Sequence, residues 1–487
     1  MTAAAVDHFP LRLVIGGERV DAAAGRTFSV ENPATEEIIA QVAEGDASDI
    51  DRAVASARAT FESDGWRGMS ARARGAAVSR LGELIASHKD ELARLETLNN
   101  GKPLFESAID VKLTADTFKY YGGWADKIQG ETIPVDGPFF NYTLREPLGV
   151  IGAIVPWNFP MSLAAWKVAP ALACGNTVVL KPATQTPFTA IRMAELALEA
   201  GLPAGALNCV PGQGKTAGMA LVRHPQVDKI AFTGSTEVGK LVMREAAATV
   251  KKLSLELGGK SPNIVFADAD LDAAARGALT GIFYGKGEVC AAGSRLLVED
   301  SVREALTAKI LARAKKMVAG DPLNPKTRLG AIVSKPQMES VLRYIKIGRD
   351  EGAELLAGGE RTRVNGKGYF VQPTIFGGVT SAMTIAREEI FGPVLAMMTF
   401  SGGIEGATAL ANETIYGLAA GIWTRDIGKA LRTARAVRAG TVWINSYNMY
   451  DPASPFGGYK HSGFGRELGV HALDGYTQVK SVWVDLS

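Results

Sequence analysis

Cys290 stands in the stretch GEVCAAGSR, which is rich in glycine and alanine and follows neither helical nor strand periodicity. A cysteine in such a stretch is expected to be more exposed than a core cysteine, and its thiolate is a strong nucleophile. A free thiol has a pKa of about 8.5, and Lys286, four residues earlier, would lower it if the two side chains were close. The alternative is a buried, inert thiol, which fits Cys174 and Cys209 in their apolar runs.

Two further side chains could take part in proton transfer or in stabilising charge. Glu256 ends the apolar run LSLE and is followed, after one leucine, by two glycines, a setting that suits a general base. Its alternative is a glutamate at a sheet edge that pairs with a lysine. Asn158 lies between Pro156 and Pro160, so its backbone is stiff and its amide is a well-aimed donor. Its alternative is a turn residue that bonds to its own backbone.

Two glycine turns follow neighbouring apolar strands. The run KIAFT leads into Gly234-Ser235, and a helical pattern begins at once. Free amides at such a helix start suit an anion such as a pyrophosphate, although the spacing is not G-x-G-x-x-G and a capped turn without a ligand is the alternative. A second turn, Pro211-Gly212-Gln213-Gly214, follows the preceding strand. Two such turns at adjacent strand ends are what a dinucleotide crevice needs.

The elements that position these residues are predicted by apolar runs that recur along the chain. From residue 149 the runs are GVIGAIV, NTVVLKP, ALNCVP, DKIAFTG and KKLSLELGG, and after residue 259 they are SPNIVFAD, SRLLVED, AREEIFGPVLAMMTF, LAAGIWT and AGTVWINS. Helical stretches between them predict parallel sheets with helices on their faces. Before residue 130, helical spacing predicts helices over 50–66, 71–98 and 104–127. The tail, 476–485, is predicted as a strand that forms a small β element with residues near 130–147.

Composition excludes several classes of protein. The 487 residues are 47% hydrophobic and 21% charged, which is ordinary for a globular chain. A formal charge of +2 predicts neither a nucleic-acid partner nor a membrane surface. The five histidines form no metal-binding motif, so no metal is expected. Scattered cysteines and an N-terminus without a basic leader predict a cytoplasmic protein. Two prolines interrupt the uncharged stretch 147–166, which favours a buried strand and a loop over a membrane span.

Seven longer motifs carry a resemblance to one family. They are PWNFP at 156–160, KPATQTP at 181–187, FTGSTEVG at 232–239, LELGGKSPNIV at 255–265, GEVCAAGSR at 287–295, EEIFGPV at 388–394 and SPFGGYKHSGFGRELG at 454–469. In this order, over nearly the whole chain, they resemble the NAD(P)-dependent aldehyde dehydrogenases. Together with YYGGWADKIQGETIP at 120–134, they are most similar to the tetrameric class that oxidises retinal and acetaldehyde.

The resemblance implies a domain organisation. The expected fold is α/β, with two Rossmann-like parallel-sheet lobes and a small β oligomerisation element. Residues 1–128 and 148–258 would form the NAD(P)-binding domain, 259–458 the catalytic domain, and 129–147 and 459–487 the oligomerisation and bridging element. The resembled class implies a homotetramer, with a dimer as the alternative.

The resemblance also implies roles for individual residues. Cys290 matches the nucleophile, Glu256 the general base, and Asn158 the side-chain donor of an oxyanion hole whose other donor is the backbone N–H of Cys290. The matched cofactor contacts are Val155, Trp157, Lys181, Ala183, Thr184, Gly212, Phe232, Gly234, Ser235, Val238, Leu257, Glu389 and Phe391. The matched walls of the substrate tunnel are Phe159, Trp166, Tyr450 and Phe456, which implies a small to medium, uncharged aldehyde.

The implied chemistry has two halves. The thiolate attacks the aldehyde carbon to give a thiohemiacetal, and loss of hydride to the nicotinamide leaves a thioester. Water activated by Glu256 then hydrolyses the thioester to a carboxylic acid. The acyl-CoA-forming branch of the family typically lacks that glutamate. A catalytically silent member and a thiol hydrolase without a redox role are the competing hypotheses; the intact Cys290, Glu256 and Asn158 argue against the first, and the dinucleotide motifs argue against the second.

Two departures from the family pattern affect what is expected. The family usually has Asn-Gln-Gly-Gln where this chain has Gly285-Lys286-Gly287-Glu288, which places a charge pair near the nucleophile. Three residues after Lys181, NAD-preferring members commonly have a glutamate that repels a 2′-phosphate, whereas this chain has Thr184. With Lys215 in the adjacent glycine turn, Thr184 predicts that both NAD and NADP are accepted.

Overall fold

The computed structural model describes residues 11–487. The sequence expectations that fall on residues 1–10, among them the lack of a leader pattern and the position of His8, lie outside the described residues. The described part is built from five sheets and the helices that cover them.

The strands are β1 Leu13–Ile15, β2 Glu18–Val20, β3 Thr27–Asn32, β4 Glu37–Ala43, β5 Thr132–Ile133, β6 Phe139–Pro147, β7 Val150–Ile154, β8 Thr177–Lys181, β9 Leu207–Cys209, β10 Lys229–Thr233, β11 Lys252–Glu256, β12 Pro262–Val265, β13 Arg295–Glu299, β14 Glu354–Ala357, β15 Arg361–Val364, β16 Lys367–Val371, β17 Thr374–Gly377, β18 Val394–Phe400, β19 Ala419–Trp423, β20 Thr441–Ile444, β21 Gly463–Phe464 and β22 Thr477–Asp485. The α-helices are α1 Ala47–Glu62, α2 Asp64–Arg67, α3 Ala71–Ser87, α4 Lys89–Asn100, α5 Leu104–Gly122, α6 Pro160–Ala173, α7 Phe188–Glu199, α8 Met219–Arg223, α9 Thr236–Ala246, α10 Leu271–Phe283, α11 Arg303–Ala314, α12 Lys335–Asp350, α13 Thr384–Arg387, α14 Gly403–Asn412 and α15 Ile427–Ala436.

The larger sheet has eight strands in the order β2-β1-β9-β8-β7-β10-β11-β21, and β9 through β11 run parallel. From β7 the chain proceeds outward to β8 and β9, then returns to the other side of β7 to form β10 and β11. The order therefore reverses between β7 and β10. In open parallel sheets a crevice forms at the carboxyl ends of the strands at such a reversal, and ligands bind there.

The second sheet has seven strands in the order β14-β17-β18-β13-β12-β19-β20, all parallel except β14. Its central strands are buried on both faces, as expected for a parallel sheet covered by helices. The predicted α/β fold class with parallel sheets is confirmed.

The tail strand β22 pairs antiparallel with β6 along its whole length, from Thr477 opposite Pro147 to Asp485 opposite Phe139, and β5 pairs with the other side of β6. This three-stranded sheet carries apolar side chains that are well exposed in the single chain, including Val479 at 61% and Trp483 at 59%. Within residues 11–487, β22 has a strand partner on one edge only.

Several predicted elements are shorter than the sequence pattern suggests. The helix predicted over 50–66 is interrupted at Ser63, whose ψ of 145° is extended, and the helix predicted over 104–127 ends at Gly122. The single helix predicted over 71–98 is wrong, because α3 and α4 are separated by His88, whose φ of −97° and ψ of 22° break the helical hydrogen-bond pattern. The strand predicted within 386–400 is confined to β18, since Gly392-Pro393 cannot continue a strand ladder. The residues before β18 form the loop that carries Glu389 and Phe391. Among the described residues, no helix is both long enough and apolar enough to cross a membrane.

Candidate active site

The carboxyl ends of β7, β8, β10 and β11 meet at the reversal of the larger sheet, where the loop before β13 approaches them. A cavity of about 260 Å³ lies at this point. It is lined by Pro156, Trp157, Asn158, Thr233, Gly234, Ser235, Leu257, Gly258, Cys290, Gln337, Glu389 and Phe391. Segments that are far apart in the sequence therefore supply the candidate nucleophile, the candidate oxyanion donor and several predicted cofactor contacts to one cavity.

Asn158 is held in place by the loop that carries Cys290. Its side chain is 5% exposed, and Nδ2 donates a hydrogen bond to the backbone carbonyl of Glu288 at 2.9 Å. An amide nitrogen has two hydrogens, and the second has no partner among residues 11–487. That N–H is available to a ligand in the cavity.

Cys290 is half-buried, whereas Cys174 and Cys209 are buried. Burial raises the pKa of the Cys290 thiol to about 12, with smaller contributions from the carboxylates of Glu389 and Glu256. Lys286 would lower this pKa only if its ammonium lay close to the thiol, and the structure pairs that ammonium elsewhere. The Lys286 ammonium instead lies 2.8 Å from Glu288 Oε2 and 2.6 Å from Asn100 Oδ1.

Glu256 is 3% exposed at the end of β11, and neither carboxylate oxygen makes a well-formed hydrogen bond within the described residues. Burial raises its pKa well above the usual range, and the nearby carboxylate of Glu467 raises it further, although Lys167 opposes both effects. Lys167 forms its ion pair with Glu467 and donates to Thr233 Oγ1 at 2.6 Å. Glu256 is therefore not the lysine-paired edge glutamate of the alternative interpretation.

The turn after β10 is built to admit a ligand close to the backbone. Ser235 caps α9, its Oγ accepting from Val238 N at 3.3 Å, so Ser235 ends the strand-to-helix turn. A Cβ on Gly234 would lie 2.5 Å from the Phe232 ring, so any larger residue would have to displace that ring. The free amides of the first turn of α9 offer donors to an anion. These features fit the pyrophosphate of a dinucleotide.

The opposite wall of the cavity comes from the loop before β18. Glu389 Oε1 accepts from Gly259 N at 3.0 Å, and burial raises the pKa of Glu389 to about 7. A Cβ on Gly258 would lie 2.3 Å from Glu389 Oε2, so the carboxylate sits directly on the backbone after β11. The rings of Phe391 and Trp157 meet edge to face, with centroids 5.2 Å apart. A carboxylate beside two aromatic rings fits a ribose with its attached base.

The predicted adenine-ribose residues lie at the last residue of β8 and just beyond it. Lys181 is 4% exposed, and burial lowers its pKa to about 8. Thr184 is half-buried and donates from Oγ1 to Gln185 Oε1 at 3.2 Å. Ala183 belongs to the same turn. Val155, just after β7, donates from its backbone N–H to Lys181 O at 3.2 Å. Gly212, after β9, packs so closely against the backbone that a Cβ there would lie 2.3 Å from Gly45 O. Each of these residues lies at or just beyond the end of a strand.

The sequence profile described as "Aldehyde dehydrogenase family" matches residues 20–482. The chain belongs to the aldehyde dehydrogenase family. It is 49% identical to human mitochondrial aldehyde dehydrogenase over 476 residues, covering 97% of this chain and 92% of the relative. It is 48% identical to human retinal dehydrogenase 2 over 478 residues, covering 98% and 92%.

A solved structure supports the same conclusion. The NAD⁺ complex of aldehyde dehydrogenase from Bacillus cereus superposes with a TM-score of 0.96 at 49% identity, covering 98% of this chain and 97% of that one. The present chain is thus an NAD(P)-dependent aldehyde dehydrogenase. Within residues 11–487 of this aldehyde dehydrogenase, no cluster of three or more His, Cys, Asp or Glu side chains could hold a metal ion.

The four predicted tunnel residues are absent from the cavity lining of this aldehyde dehydrogenase and instead form an aromatic wall in the apolar cluster against which Cys290 packs. Trp166 and Phe456 have ring centroids 5.4 Å apart, and Tyr450 lies 5.7 Å from Phe456. Phe159 stacks on Tyr284 instead, at 6.3 Å and 15°. Trp166 and Phe456 are buried members of this cluster, whereas Phe159 and Tyr450, like Cys290, are partly buried and pack against it.

Two residues that contact the site were not predicted from the sequence of the aldehyde dehydrogenase. Gln337, in the first turn of α12, lines the cavity, and its Nε2 donates to Phe391 O at 2.8 Å. Asn100, the last residue of α4, donates from Nδ2 to Trp157 O at 2.7 Å. A single glutamine on an amphipathic helix resembles a solvated residue, and an asparagine before a glycine resembles a helix end, so neither pattern signals a site.

Proposed function

We propose that this chain oxidises an aldehyde to a carboxylic acid through a thiohemiacetal and a thioester on Cys290, with Asn158 as the oxyanion donor and Glu256 as the base for hydrolysis. The observation that carries the proposal is that Asn158 and Cys290 line one cavity, while Glu256 directly precedes Leu257 and Gly258 of the same lining. The test is a panel of aldehydes assayed by NAD(P)H absorbance, with each cofactor supplied separately. A chain that reduces neither cofactor would be the silent member; ester hydrolysis without reduction would identify the thiol hydrolase.

In the acylation half, the Cys290 sulfur bonds to the carbonyl carbon, and negative charge develops on the aldehyde oxygen. The unpartnered N–H of Asn158 stabilises that charge, and one such donor is worth on the order of 10² to 10³ in rate. Because burial holds the thiol pKa at about 12, ionisation needs a compensating positive charge in the cavity. The oxidised nicotinamide supplies such a charge when it is bound, and it accepts the hydride.

In the deacylation half, Glu256 takes a proton from a water molecule whose oxygen attacks the thioester carbon, and the Cys290 sulfur leaves. The raised pKa of Glu256 makes its carboxylate a stronger base than an exposed glutamate. The buried ion pair between Lys167 and Glu467 lies next to Glu256, so the Glu256 carboxylate has both a positive and a negative charge nearby. A base at Glu256 supports hydrolysis of the thioester to the carboxylic acid rather than transfer of the acyl group to coenzyme A.

The aromatic wall supports an uncharged aldehyde of small to medium size as the substrate class. Trp166, Tyr450 and Phe456 offer apolar surface in the cluster against which Cys290 packs. One relative, human retinal dehydrogenase 2, is named for an aldehyde, retinal. The cytoplasmic location stays a prediction. So does the division into an NAD(P)-binding domain (1–128 and 148–258), a catalytic domain (259–458) and an oligomerisation element (129–147 and 459–487).

Cofactor choice depends on Thr184 in this proposal. Replacing it with glutamate places a carboxylate where a 2′-phosphate would lie, and such like-charge contacts cost on the order of several kcal/mol. We expect Thr184→Glu to raise the KM for NADP at least tenfold more than that for NAD, measured by initial rates with both cofactors. Thr184→Gln, equal in size but uncharged, is the matched control and should leave the ratio of the two KM values within about threefold. A parent enzyme without NADP turnover at millimolar concentration would contradict this assignment of Thr184.

Assembly depends on β22 and its apolar side chains. An unpaired strand edge invites pairing, and Val479 and Trp483 are 61% and 59% exposed in the single chain. We propose a homotetramer in which this sheet is covered, with a dimer as the alternative. Val479→Asp with Trp483→Asp should reduce the mass measured by light scattering, because charges would be buried in the interface.

Deleting 478–487, which retains the buried Tyr476, should yield unstable protein; a well-folded active monomer would count against the proposal.

A further inference from the structure

A closed ring of contacts ties the loop of Asn158 to the loop of Cys290. Asn158 Nδ2 donates to Glu288 O at 2.9 Å, and the Glu288 carboxylate lies 2.8 Å from Lys286 Nζ. Lys286 Nζ donates to Asn100 Oδ1 at 2.6 Å, and Asn100 Nδ2 donates to Trp157 O at 2.7 Å. The peptide bond between Trp157 and Asn158 closes the ring.

Every charged or polar member of this ring is buried. The Lys286 and Glu288 side chains are each 1% exposed, and Asn100 is 0% exposed. Glu288 Oε1 also accepts from Val333 N at 3.1 Å, so the carboxylate is fixed at both ends. A buried ion pair does little for net stability, but removing one partner leaves an uncompensated charge and displaces what surrounds it.

The backbone of this segment takes a conformation that needs support. Gly285, Lys286 and Gly287 have φ of +56°, +62° and +73°, three successive residues in the left-handed region. Lysine is strained there, whereas glycine is not. The contacts of the Lys286 ammonium with Asn100 and Glu288 fix this turn, and the turn precedes the Glu288 carbonyl that accepts from Asn158.

We propose that Lys286, Glu288 and Asn100 are positioning residues that hold the free amide N–H of Asn158 in register with the Cys290 sulfur. None of their side chains lines the cavity: Asn100 reaches it only through the backbone carbonyl of Trp157, and all three residues act through Asn158. The inference rests on the proposed roles of Asn158 and Cys290. Its consequence is that disturbing the ring slows the step in which negative charge develops on the aldehyde oxygen.

The first test compares Lys286→Gln, Glu288→Gln and the double variant. Each single variant leaves one buried charge unpaired, and we expect the burst of NADH formation at saturating aldehyde and NAD to slow by on the order of tenfold or more, the scale of a misplaced catalytic donor. In the double variant two uncharged groups of similar shape can bond to each other, and the burst rate should recover to within about threefold of the parent. Lys367→Gln with Glu37→Gln, which removes an exposed ion pair, is the control for loss of a charge pair.

The second test asks whether the effect passes through Asn158. Asn100→Ala should slow the burst by on the order of tenfold in the parent but less than about twofold in the N158A background, since interacting residues are non-additive. Asn99→Ala is the matched control. Asn99 is 2% exposed in the same turn of α4, but it bonds to Gln185 O and Phe188 N instead. It should lower thermal stability without changing the burst rate at saturating NAD.

The outcomes separate this inference from the proposed function. If the parent forms no NADH from aldehyde and NAD, the proposed function fails. If the parent gives a burst but the single variants retain its rate, or Asn100→Ala has the same effect with and without Asn158, the positioning role fails while the proposed function stands. If the single variants do not fold, the double variant takes their place in the test. A double variant that folds but slows the burst by the same factor in the parent and in the N158A background also overturns the inference.

Discussion

Replacing Cys290 with alanine is expected to abolish aldehyde oxidation while cofactor affinity stays within about threefold of the parent. The sulfur makes the covalent bond to the substrate, and loss of a covalent nucleophile costs on the order of 10⁶ in kcat. The cavity walls from Trp157, Ser235 and Glu389 do not depend on that sulfur atom. NAD binding is measured by calorimetry, and oxidation by NADH absorbance.

Alkylation tests the same assignment without a mutation of the site. Cys290 is half-buried, whereas Cys174 and Cys209 are 4% and 0% exposed. Burial raises the pKa of all three thiols, so access rather than acidity distinguishes them. Iodoacetamide should therefore modify Cys290 first, as read by peptide mass spectrometry, and Cys209→Ala should leave that rate unchanged. Equal labelling of the three thiols in the native protein would refute the assignment.

Much of the candidate site is predictable because its residues follow apolar strands. In a parallel sheet, residues just after neighbouring strands meet at one edge, so the runs before Asn158, Lys181, Ser235 and Leu257 already bring them together. The glycines after KIAFT and LSLEL mark close backbone approaches, and a Cβ at Gly234 or Gly258 would indeed collide with its neighbours. Local pattern and global topology agree at these positions.

What the sequence hides depends on contacts between distant segments. Lys286 is only four residues from Cys290, yet its ammonium donates to Asn100. Asn100 is the last residue of α4 and lies 186 residues earlier in the chain. Sequence distance says nothing about that direction, because the left-handed turn at 285–287 sets it. Likewise His88 separates α3 from α4 without interrupting the apolar spacing. Tertiary packing decides these features, so a single sequence does not reveal them.

Replacing Glu256 with glutamine is expected to retain the burst of NADH but to slow steady-state turnover by on the order of 10² to 10⁴, the usual contribution of a general base. The amide keeps the shape of the carboxylate but cannot accept the proton of water. Acyl-enzyme should therefore accumulate, and mass spectrometry of protein mixed with aldehyde and NAD should show the adduct on Cys290. Glu304→Gln, at a side chain that is 90% exposed, is the control and should show neither effect.

At low pH, the parent enzyme should behave like the Glu256→Gln variant, because Glu256 is then protonated. Burial and Glu467 raise the pKa of Glu256, so its carboxylate is protonated at a higher pH than an exposed glutamate, and hydrolysis is lost as the pH falls through that raised value. Because the base must be ionised, the turnover of the parent should rise with pH along a limb that is missing in Glu256→Gln. The adduct on Cys290 should then accumulate in the parent below this limb, where the burst itself persists. If Glu256→Gln turns over at the parent rate, or if its pH profile keeps the same limb, another group activates the water.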